Sequence, residues 1–131
     1  MATARADFQV FTWNEHLGDN QGDINTDFTF EGQFSSVKTF FIGQDPFRSG
    51  FVEFQVSRVD SLSHEILING QALPAIDIPR TGNSDIRLQT HTDVIPANFL
   101  KKGDNTIQFK RNGGDNFLIH HSIVHWRELD P

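Results

Sequence analysis

Residues 51–59 read Phe-Val-Glu-Phe-Gln-Val-Ser-Arg-Val, and this stretch decides the fold. Apolar and polar side chains alternate along it with period two, which is the pattern of a β-strand with one buried face. Residues 64–68 carry a second strand pattern, and the Asn69-Gly70 pair that follows is the strongest short hairpin signal in the chain. No helical stripe of useful length occurs in the sequence. The chain is therefore expected to be all-β.

Similar strand patterns recur along the chain, separated by turn signals at intervals of roughly ten residues. The predicted strands are 8–13, 28–34, 37–42, 51–59, 64–68, 85–92, 106–111 and 117–127, with 73–78 as an edge or extended segment. Residues 17–27 are expected to form a loop and residues 96–100 a short helical turn. This spacing is typical of an antiparallel β-sandwich or barrel. We expect a single domain over residues 1–131, with its core between about 7 and 128.

The composition excludes several classes of protein. The 131 residues include no cysteine, which rules out disulfides and thiolate-ligated metals. The formal net charge of −6 at pH 7 repels nucleic acid and anionic lipid. No apolar run approaches the ~18 residues that span a membrane, and the first residues lack the apolar segment of a secretory signal. We expect an acidic protein without membrane insertion, either cytoplasmic or exported by a leaderless route.

Three segments of the second half carry a resemblance to a known family. They are 64–74 (His-Glu-Ile-Leu-Ile-Asn-Gly-Gln-Ala-Leu-Pro), 95–109 with its Leu-Lys-Lys-Gly-Asp-Asn-Thr-Ile turn, and 117–126. Together with 51–60 they resemble the galactose-binding-domain-like jelly roll, which is found in carbohydrate-binding modules and in accessory domains of glycosidases. The resemblance implies an antiparallel jelly-roll β-sandwich. It also implies carbohydrate as the ligand class, although this architecture hosts many functions.

The residues of the 95–109 segment have plain physical roles in such a turn. Gly103 allows the chain to reverse after a buried Leu100. Asn105 is expected to hydrogen-bond the local backbone, and Ile107 and Phe109 to re-enter the core.

Aromatic and polar residues on predicted strands and loops are the first candidates for a binding site. The chain has 13 Phe, 2 Trp and no Tyr, so Trp13 and Trp126 are the main indole candidates for stacking. Trp126 is expected in the core, because both faces of the last strand are partly apolar and the strand should be central. Trp13 and the nearby His16 are expected at a loop mouth. Buried structural roles are the alternative for both.

Two sets of polar strand residues complete the ligand-binding candidates. Arg87, Gln89 and His91 share one predicted strand face and could hydrogen-bond hydroxyl groups or a carboxylate, unless they are a hydrated surface. His121 and His125 share a face of the last strand about 13 Å apart, so they cannot ligate one metal without a neighbouring strand. Structural or surface positions are the alternative for these histidines.

Oxygen-rich side chains in the 17–27 loop suggest a structural calcium ion. Asp19, Asp23 and Asp27 supply carboxylates of the kind that calcium prefers. The resemblance adds Glu128 or Asp130 as a further ligand, because jelly rolls of that kind often hold calcium near the chain ends. The spacing does not fit an EF-hand, and a solvated turn is the alternative.

No catalytic motif is found. The sequence has neither a Gly-x-Ser-x-Gly elbow nor a His-Glu-x-x-His pair, and Gly113-Gly114 lies between strands as a turn. We therefore expect a non-catalytic binding module, lectin-like and carbohydrate-binding. The alternative is a structural or accessory subunit of a larger assembly, acting through contacts with a protein partner or with further copies of itself.

Overall fold

A computed structural model describes residues 3–81 and 89–130. Within this part of the chain, two short 3-10 helices lie at Gln21–Asp23 and Ala97–Phe99. The strands of the described residues are β1 (Ala4–Leu17), β2 (Thr29–Gly32), β3 (Lys38–Ile42), β4 (Gly50–Ser57), β5 (Glu65–Ile68), β6 (Gln71–Ala72), β7 (Gln89–Ile95), β8 (Gly103–Lys110) and β9 (Phe117–Leu129).

The strands form two sheets. One is five-stranded with the order β2-β1-β9-β4-β7, and the other is four-stranded with the order β3-β8-β5-β6. Every pairing between these strands is antiparallel except that of the short β2, which lies parallel to β1. The prediction of an all-β chain is confirmed, and two sheets are consistent with the predicted sandwich.

The pairing follows a nested order along the chain. If β2 is set aside, the first strand pairs with the last (β1 with β9) and the second with the second-last (β3 with β8). The next pairs inward are β4 with β7 and β5 with β6. Two further pairings, β4 with β9 and β5 with β8, join these pairs into sheets. The chain is thus arranged as one long hairpin folded over on itself.

One hydrophobic core lies between the sheets. The ring centroids of Trp13 and Phe109 lie 5.0 Å apart, edge to face, and those of Phe40 and Trp126 lie 5.4 Å apart. Each of these pairs joins the two sheets, because Trp13 and Trp126 belong to the five-stranded sheet, and Phe109 and Phe40 to the four-stranded sheet. The predicted burial of Trp126 is confirmed, since it is 3% exposed. Strand β9 is central, as its two apolar faces predicted.

The two turns that the sequence singled out are linked to each other. Asn69 and Gly70 have φ angles of 52° and 80°, as the predicted hairpin between β5 and β6 requires. Asn105 is fully buried, and its amide donates to the carbonyls of Lys101 and Gly103. Its oxygen accepts from the Asn69 amide at 2.9 Å. The predicted local bonding of Asn105 is confirmed, and it extends to the neighbouring turn.

Several predicted boundaries differ from the structure. Residues 73–78 are predicted to form an edge or extended segment, whereas the strand that follows the hairpin is β6, residues 71–72. The 85–92 prediction overlaps β7, which begins at Gln89 and continues to Ile95; residues 85–88 lie outside the described part of the chain. Strands β8 and β9 also extend beyond their predicted ranges.

Within residues 3–81 and 89–130, no helix is long and apolar enough to cross a membrane.

Candidate functional site

Four neighbouring strands of the five-stranded sheet present a surface to solvent. Along β1, β9, β4 and β7, alternate residues point into the core, and the residues between them point outward. We call the outward surface the outer face. It consists of Phe8, Val10, Thr12, Phe51, Glu53, Gln55, Thr90, Thr92, Val94, His121, Ile123 and His125.

One row across the outer face is formed by rings and apolar side chains. The strand register places Phe8, His125, Phe51 and Val94 side by side. The imidazole of His125 stacks on the Phe51 ring at 4.4 Å with an interplanar angle of 12°. Phe8 is 58% exposed and Phe51 39% exposed. Exposed aromatic rings held by paired strands offer flat apolar surfaces to a ligand.

Polar groups border this row. Glu53 Oε1 lies 2.7 Å from His125 Nε2, which joins β4 to β9 on the solvent side. Gln55 lies beside His121 in the register and donates from Nε2 to the Thr90 hydroxyl at 3.2 Å. A carboxylate, an amide and two imidazoles therefore lie next to the stacked rings.

Two cavities of about 280 Å³ each open on this surface. The first is lined by Val10, Glu53, Phe54, Gln55, Thr90, His121 and Ile123. The second is lined by Ala6, Ser49, Gly50, Phe51, His125, Trp126 and Arg127. The Glu53–His125 hydrogen bond connects them, because each cavity is lined by one of these two residues. The cavities are thus neighbouring halves of one shallow, largely open surface.

A glycine shapes the second cavity. A Cβ added at Gly50 would lie 2.3 Å from the backbone carbonyl oxygen of His125. Any side chain here would push β4 away from β9, so glycine allows the close approach of the two strands. The stacking of Phe51 on His125 depends on that approach.

The structure brings two of the predicted ligand-binding residues together. His121 and His125 both lie on the outer face, as predicted from their spacing. Both positions remain open to solvent, with His121 exposed and His125 about half buried.

Trp13 lies in the core and not at a loop mouth, which corrects the prediction from its polar neighbours. It is 5% exposed, and its indole N–H donates to the buried Ser122 hydroxyl at 2.8 Å. Glu15, two residues further along, is also buried, and its carboxylate accepts hydrogen bonds from the backbone N–H and hydroxyl of Ser36. A ligand cannot stack on an indole packed in this way.

His16 is fully buried as well. Its Nε2 lies 3.1 Å from the Asn116 side-chain oxygen, and its ring packs edge-on against Phe30 at 5.0 Å. The loop-mouth prediction is therefore also wrong for His16, which ties the end of β1 to the start of β9.

Two residues of the predicted Arg87–Gln89–His91 row, Gln89 and His91, lie on the edge strand β7. Gln89 and His91 are opposite the inward-pointing Val56 and Phe54, so they lie on the core side of β7 and not on the outer face. Burial lowers the pKa of His91. Arg87 lies outside the described residues.

The four predicted calcium ligands lie in two separate places. Asp19 is near the Phe117 end of β9, where it forms an ion pair with Arg111 at 2.9 Å. Glu128 is near the other end, about 35 Å away along the strand at ~3.3 Å per residue. It forms an ion pair with Arg5 at 2.9 Å. One ion cannot be shared by these two carboxylates.

The other two predicted ligands, Asp23 and Asp27, are exposed in the 17–27 loop. The hydrogen bond and charge of Arg111 lower the pKa of Asp19, so a cation there would have to compete with the guanidinium. Across residues 3–81 and 89–130, no group of three or more His, Cys, Asp or Glu side chains could hold a metal ion.

A serine and a histidine lie within hydrogen-bonding distance at the far end of β4. Ser57 Oγ and His120 Nε2 are 2.9 Å apart. Burial lowers the pKa of His120, and the charge of His121 adds to this effect. The hydroxyl of Ser57 is fully buried, so the pair does not present a nucleophile to a substrate.

Two carboxyl groups share a buried site beside β7. Asp77 is 2% exposed, and its Oδ2 accepts from the backbone N–H of Ile66 at 2.7 Å. Burial raises the pKa of Asp77 to about 7, and the neighbouring Asp93 adds to this shift because two like charges repel. Burial also raises the pKa of Asp93. Each of these two carboxyl groups therefore keeps its proton to a higher pH than an ordinary aspartate does.

Sequence reasoning missed Phe8, Phe51, Glu53 and Gln55 as site residues. The alternation in 51–59 placed Phe51, Glu53 and Gln55 on one face of a strand. It could not show that His125 and His121 lie beside them, because that depends on the register of β4 against β9.

A family model matches residues 5–128, and its description is a family of unknown function (DUF7383). No curated protein and no solved structure matches the chain.

Proposed function

The chain belongs to this family of unknown function (DUF7383), and we propose that it is a non-catalytic binding module whose outer face binds carbohydrate. The observation that carries the proposal is the row of exposed rings bordered by hydrogen-bonding groups. Phe51 and the stacked His125 supply flat ring surface, and the Glu53 carboxylate lies 2.7 Å from the His125 ring.

This combination suits the chemistry of a sugar. A pyranose has an apolar face of C–H groups and a rim of hydroxyls, so it can pack on a ring while it hydrogen-bonds at its edge. The Glu53 carboxylate can accept from two hydroxyls in charge-assisted bonds, and Gln55 and His121 can donate or accept beside it. The shallow, open shape of the two cavities leaves space for further sugar units of an oligosaccharide.

The fold supports the same ligand class by analogy. The nested pairing of β1 with β9, β3 with β8, β4 with β7 and β5 with β6 is the pattern expected of a jelly roll, and we propose this topology for the chain. The resemblance of residues 51–126 to the galactose-binding-domain-like jelly roll then favours carbohydrate over other small polar ligands. Because this analogy concerns the fold alone, the proposed function depends on the residues of the outer face.

The number of carboxyl groups at the site favours binding over hydrolysis. Most glycosidases use two carboxyl groups about 5–9.5 Å apart on either side of the scissile bond. Among the described residues of the outer face, Glu53 alone carries a carboxyl group, and it is held by His125. Asp93 belongs to the same sheet but lies on the core side of β7, paired with Asp77.

A glycan array probed with the purified chain tests the proposal. We expect a small set of specific oligosaccharide hits that are the same with calcium and with a chelator, because Glu53 is held by His125. Hits that vanish with the chelator would instead indicate that a calcium ion binds in the 17–27 loop. A blank array in both conditions, with protein shown to be folded, would overturn the proposal.

The alternative is an accessory subunit that uses the same face to bind a protein. Val10 and Val94 are 50% and 58% exposed, and exposed aliphatic side chains suit a protein partner better than a sugar. A blank glycan array combined with a specific, saturable protein partner that is lost on Val94→Asp would favour this function.

A further inference from the structure

The first strand has a long open edge. Strand β2 pairs with β1 only at residues 15–17, and no other strand of the described residues pairs with residues 4–14 on that side. Residues 4–10 are all exposed. Open edges of this length are normally covered or blocked, because their backbone groups can pair with another strand.

The direction of the backbone groups along this edge follows from the pairing with β9. In an antiparallel pair, each residue directs its N–H and C=O to the same side, and neighbouring residues alternate. The carbonyl of Thr3 accepts from the backbone N–H of Asp130, so odd-numbered residues face β9. Even-numbered residues from 4 to 12 therefore face the open edge.

Two short-range side-chain contacts now occupy that edge. The N–H of Phe8 donates to its neighbour Asp7 at 2.8 Å, and the carbonyl of Val10 accepts from the Gln9 side chain at 3.3 Å. Both contacts join exposed, adjacent residues, so a strand can replace them at low cost. They also confirm that the N–H of Phe8 and the carbonyl of Val10 point away from β9.

We propose that this edge pairs with the same edge of a second copy of the chain, antiparallel and with Phe8 opposite Phe8 of that copy. In this register Ala6 lies opposite Val10, and Ala4 opposite Thr12. The paired segment runs over residues 4–12, about 30 Å at ~3.4 Å per residue. About ten backbone hydrogen bonds would form, two for each directly opposed pair that faces the edge.

The register is self-complementary. The two phenyl rings become neighbours across the strands, and each small Ala6 leaves room for the Val10 opposite it. The pairing therefore covers Phe8 and Val10, which are 58% and 50% exposed in a single copy. On the opposite face, Asp7 lies opposite Gln9, and Arg5 opposite Phe11, so no like charges face each other. The segment's one positive and one negative charge cancel, unlike the net charge of −6 on the chain.

The pairing has a consequence for binding, which rests on the function proposed above. The two-fold axis of an antiparallel pair is perpendicular to the sheet, so both outer faces would point to the same side of a ten-stranded sheet. A surface that displays many copies of a glycan would then be bound by two sites at once, with higher avidity than one site provides.

The mass of the protein in solution, measured by sedimentation from micromolar to submillimolar concentration without glycan, tests the pairing. We expect a concentration-dependent shift from 14.9 kDa to twice that mass. Ala6→Pro removes an N–H that faces the open edge and no bond to β9, so it should give a monomer. Ala6→Ser keeps both the N–H and a small side chain, so it should still dimerise. Circular dichroism checks that both variants fold.

Charge substitution at the centre of the pairing tests the register. Phe8→Glu and Phe8→Lys should each be monomeric, because like charges would lie directly opposite each other, and an equimolar mixture of the two should dimerise again. A wild-type monomer at every concentration would overturn the pairing, and so would a dimer that persists in both Ala6→Pro and Phe8→Glu. These measurements contain no sugar, so their failure leaves the proposed function to its own test.

Discussion

The carboxylate of Glu53 lies 2.7 Å from Nε2 of His125, and this contact crosses from β4 to β9 at the centre of the outer face. It fixes the imidazole flat against Phe51 and joins the two cavities of the face. One residue thus both orients a ring and offers a carboxylate oxygen to solvent. Loss of the ring orientation or loss of the carboxylate oxygen should therefore lower the affinity for a ligand.

Glu53→Gln is expected to weaken glycan binding about tenfold to a hundredfold, because a charge-assisted hydrogen bond contributes about 1.5–3 kcal/mol. Titration calorimetry with a glycan identified on the array provides the measurement. Glu65→Gln is the matched control, since Glu65 is a half-buried carboxylate on the other sheet beside Lys110. Equal affinities for wild type and Glu53→Gln would remove Glu53 from the site.

Gly50→Ala is expected to destabilise the protein by about 1–3 kcal/mol, because the new methyl group would meet the carbonyl of His125 and force β4 from β9. Urea unfolding measures the loss. Gly22→Ala has no atom within 4 Å of its new Cβ and should change stability by less than about 0.5 kcal/mol. A Gly50→Ala protein as stable as wild type would show that the strands are not in such close contact.

Trp13→Phe should lower stability by about 2 kcal/mol and leave glycan affinity unchanged. The substitution removes the hydrogen bond to Ser122 and leaves a buried hydroxyl without that donor. Unfolding and binding are measured on the same preparation. If affinity fell and stability did not, Trp13 would have to be reassigned from the core to the site.

The buried pair of Asp77 and Asp93 makes a contribution to stability that falls as pH rises. Burial and the nearby carboxylate raise the pKa of Asp77 from 3.8 to about 7, so the folded state holds a proton that the unfolded state releases. The stabilisation is complete below about pH 4 and is lost as pH rises through about 7.

Asp77→Asn keeps an acceptor for the Ile66 N–H and carries no charge. It should therefore remove this falling contribution and be at least as stable as wild type at about pH 8. Chemical unfolding of both proteins across this range checks the sign. A pH dependence of stability that is the same in wild type and in Asp77→Asn would contradict the raised pKa of Asp77.

Local sequence signals predicted the parts of the fold that depend on neighbouring residues. The alternation in 51–59 reflects the inward Val52, Phe54 and Val56 of β4. Asn69-Gly70 and the Asn105 turn were each predictable, because positive φ angles and short side-chain bonds are properties of a few adjacent residues. Their mutual hydrogen bond was not, since it joins residues 36 positions apart.

Sequence reasoning placed Trp13 and His16 in a loop because their neighbours are polar. The partners that make those residues compatible with burial, Ser122 for Trp13 and Asn116 for His16, lie far along the chain. The site was only half predicted for the same reason. The spacing of His121 and His125 gave their shared face, whereas Glu53 and Phe51 join them only through the register of β4 and β9.

The most direct test of the proposed function compares three proteins on one glycan array: wild type, Phe51→Ala and Phe41→Ala. Phe41 is a matched control, because it is an exposed phenylalanine on the four-stranded sheet, 64% exposed and away from the outer face. We predict that wild type and Phe41→Ala bind the same glycans and that Phe51→Ala binds none. No hits with any of the three folded proteins, or binding retained by Phe51→Ala, would contradict carbohydrate recognition by the outer face.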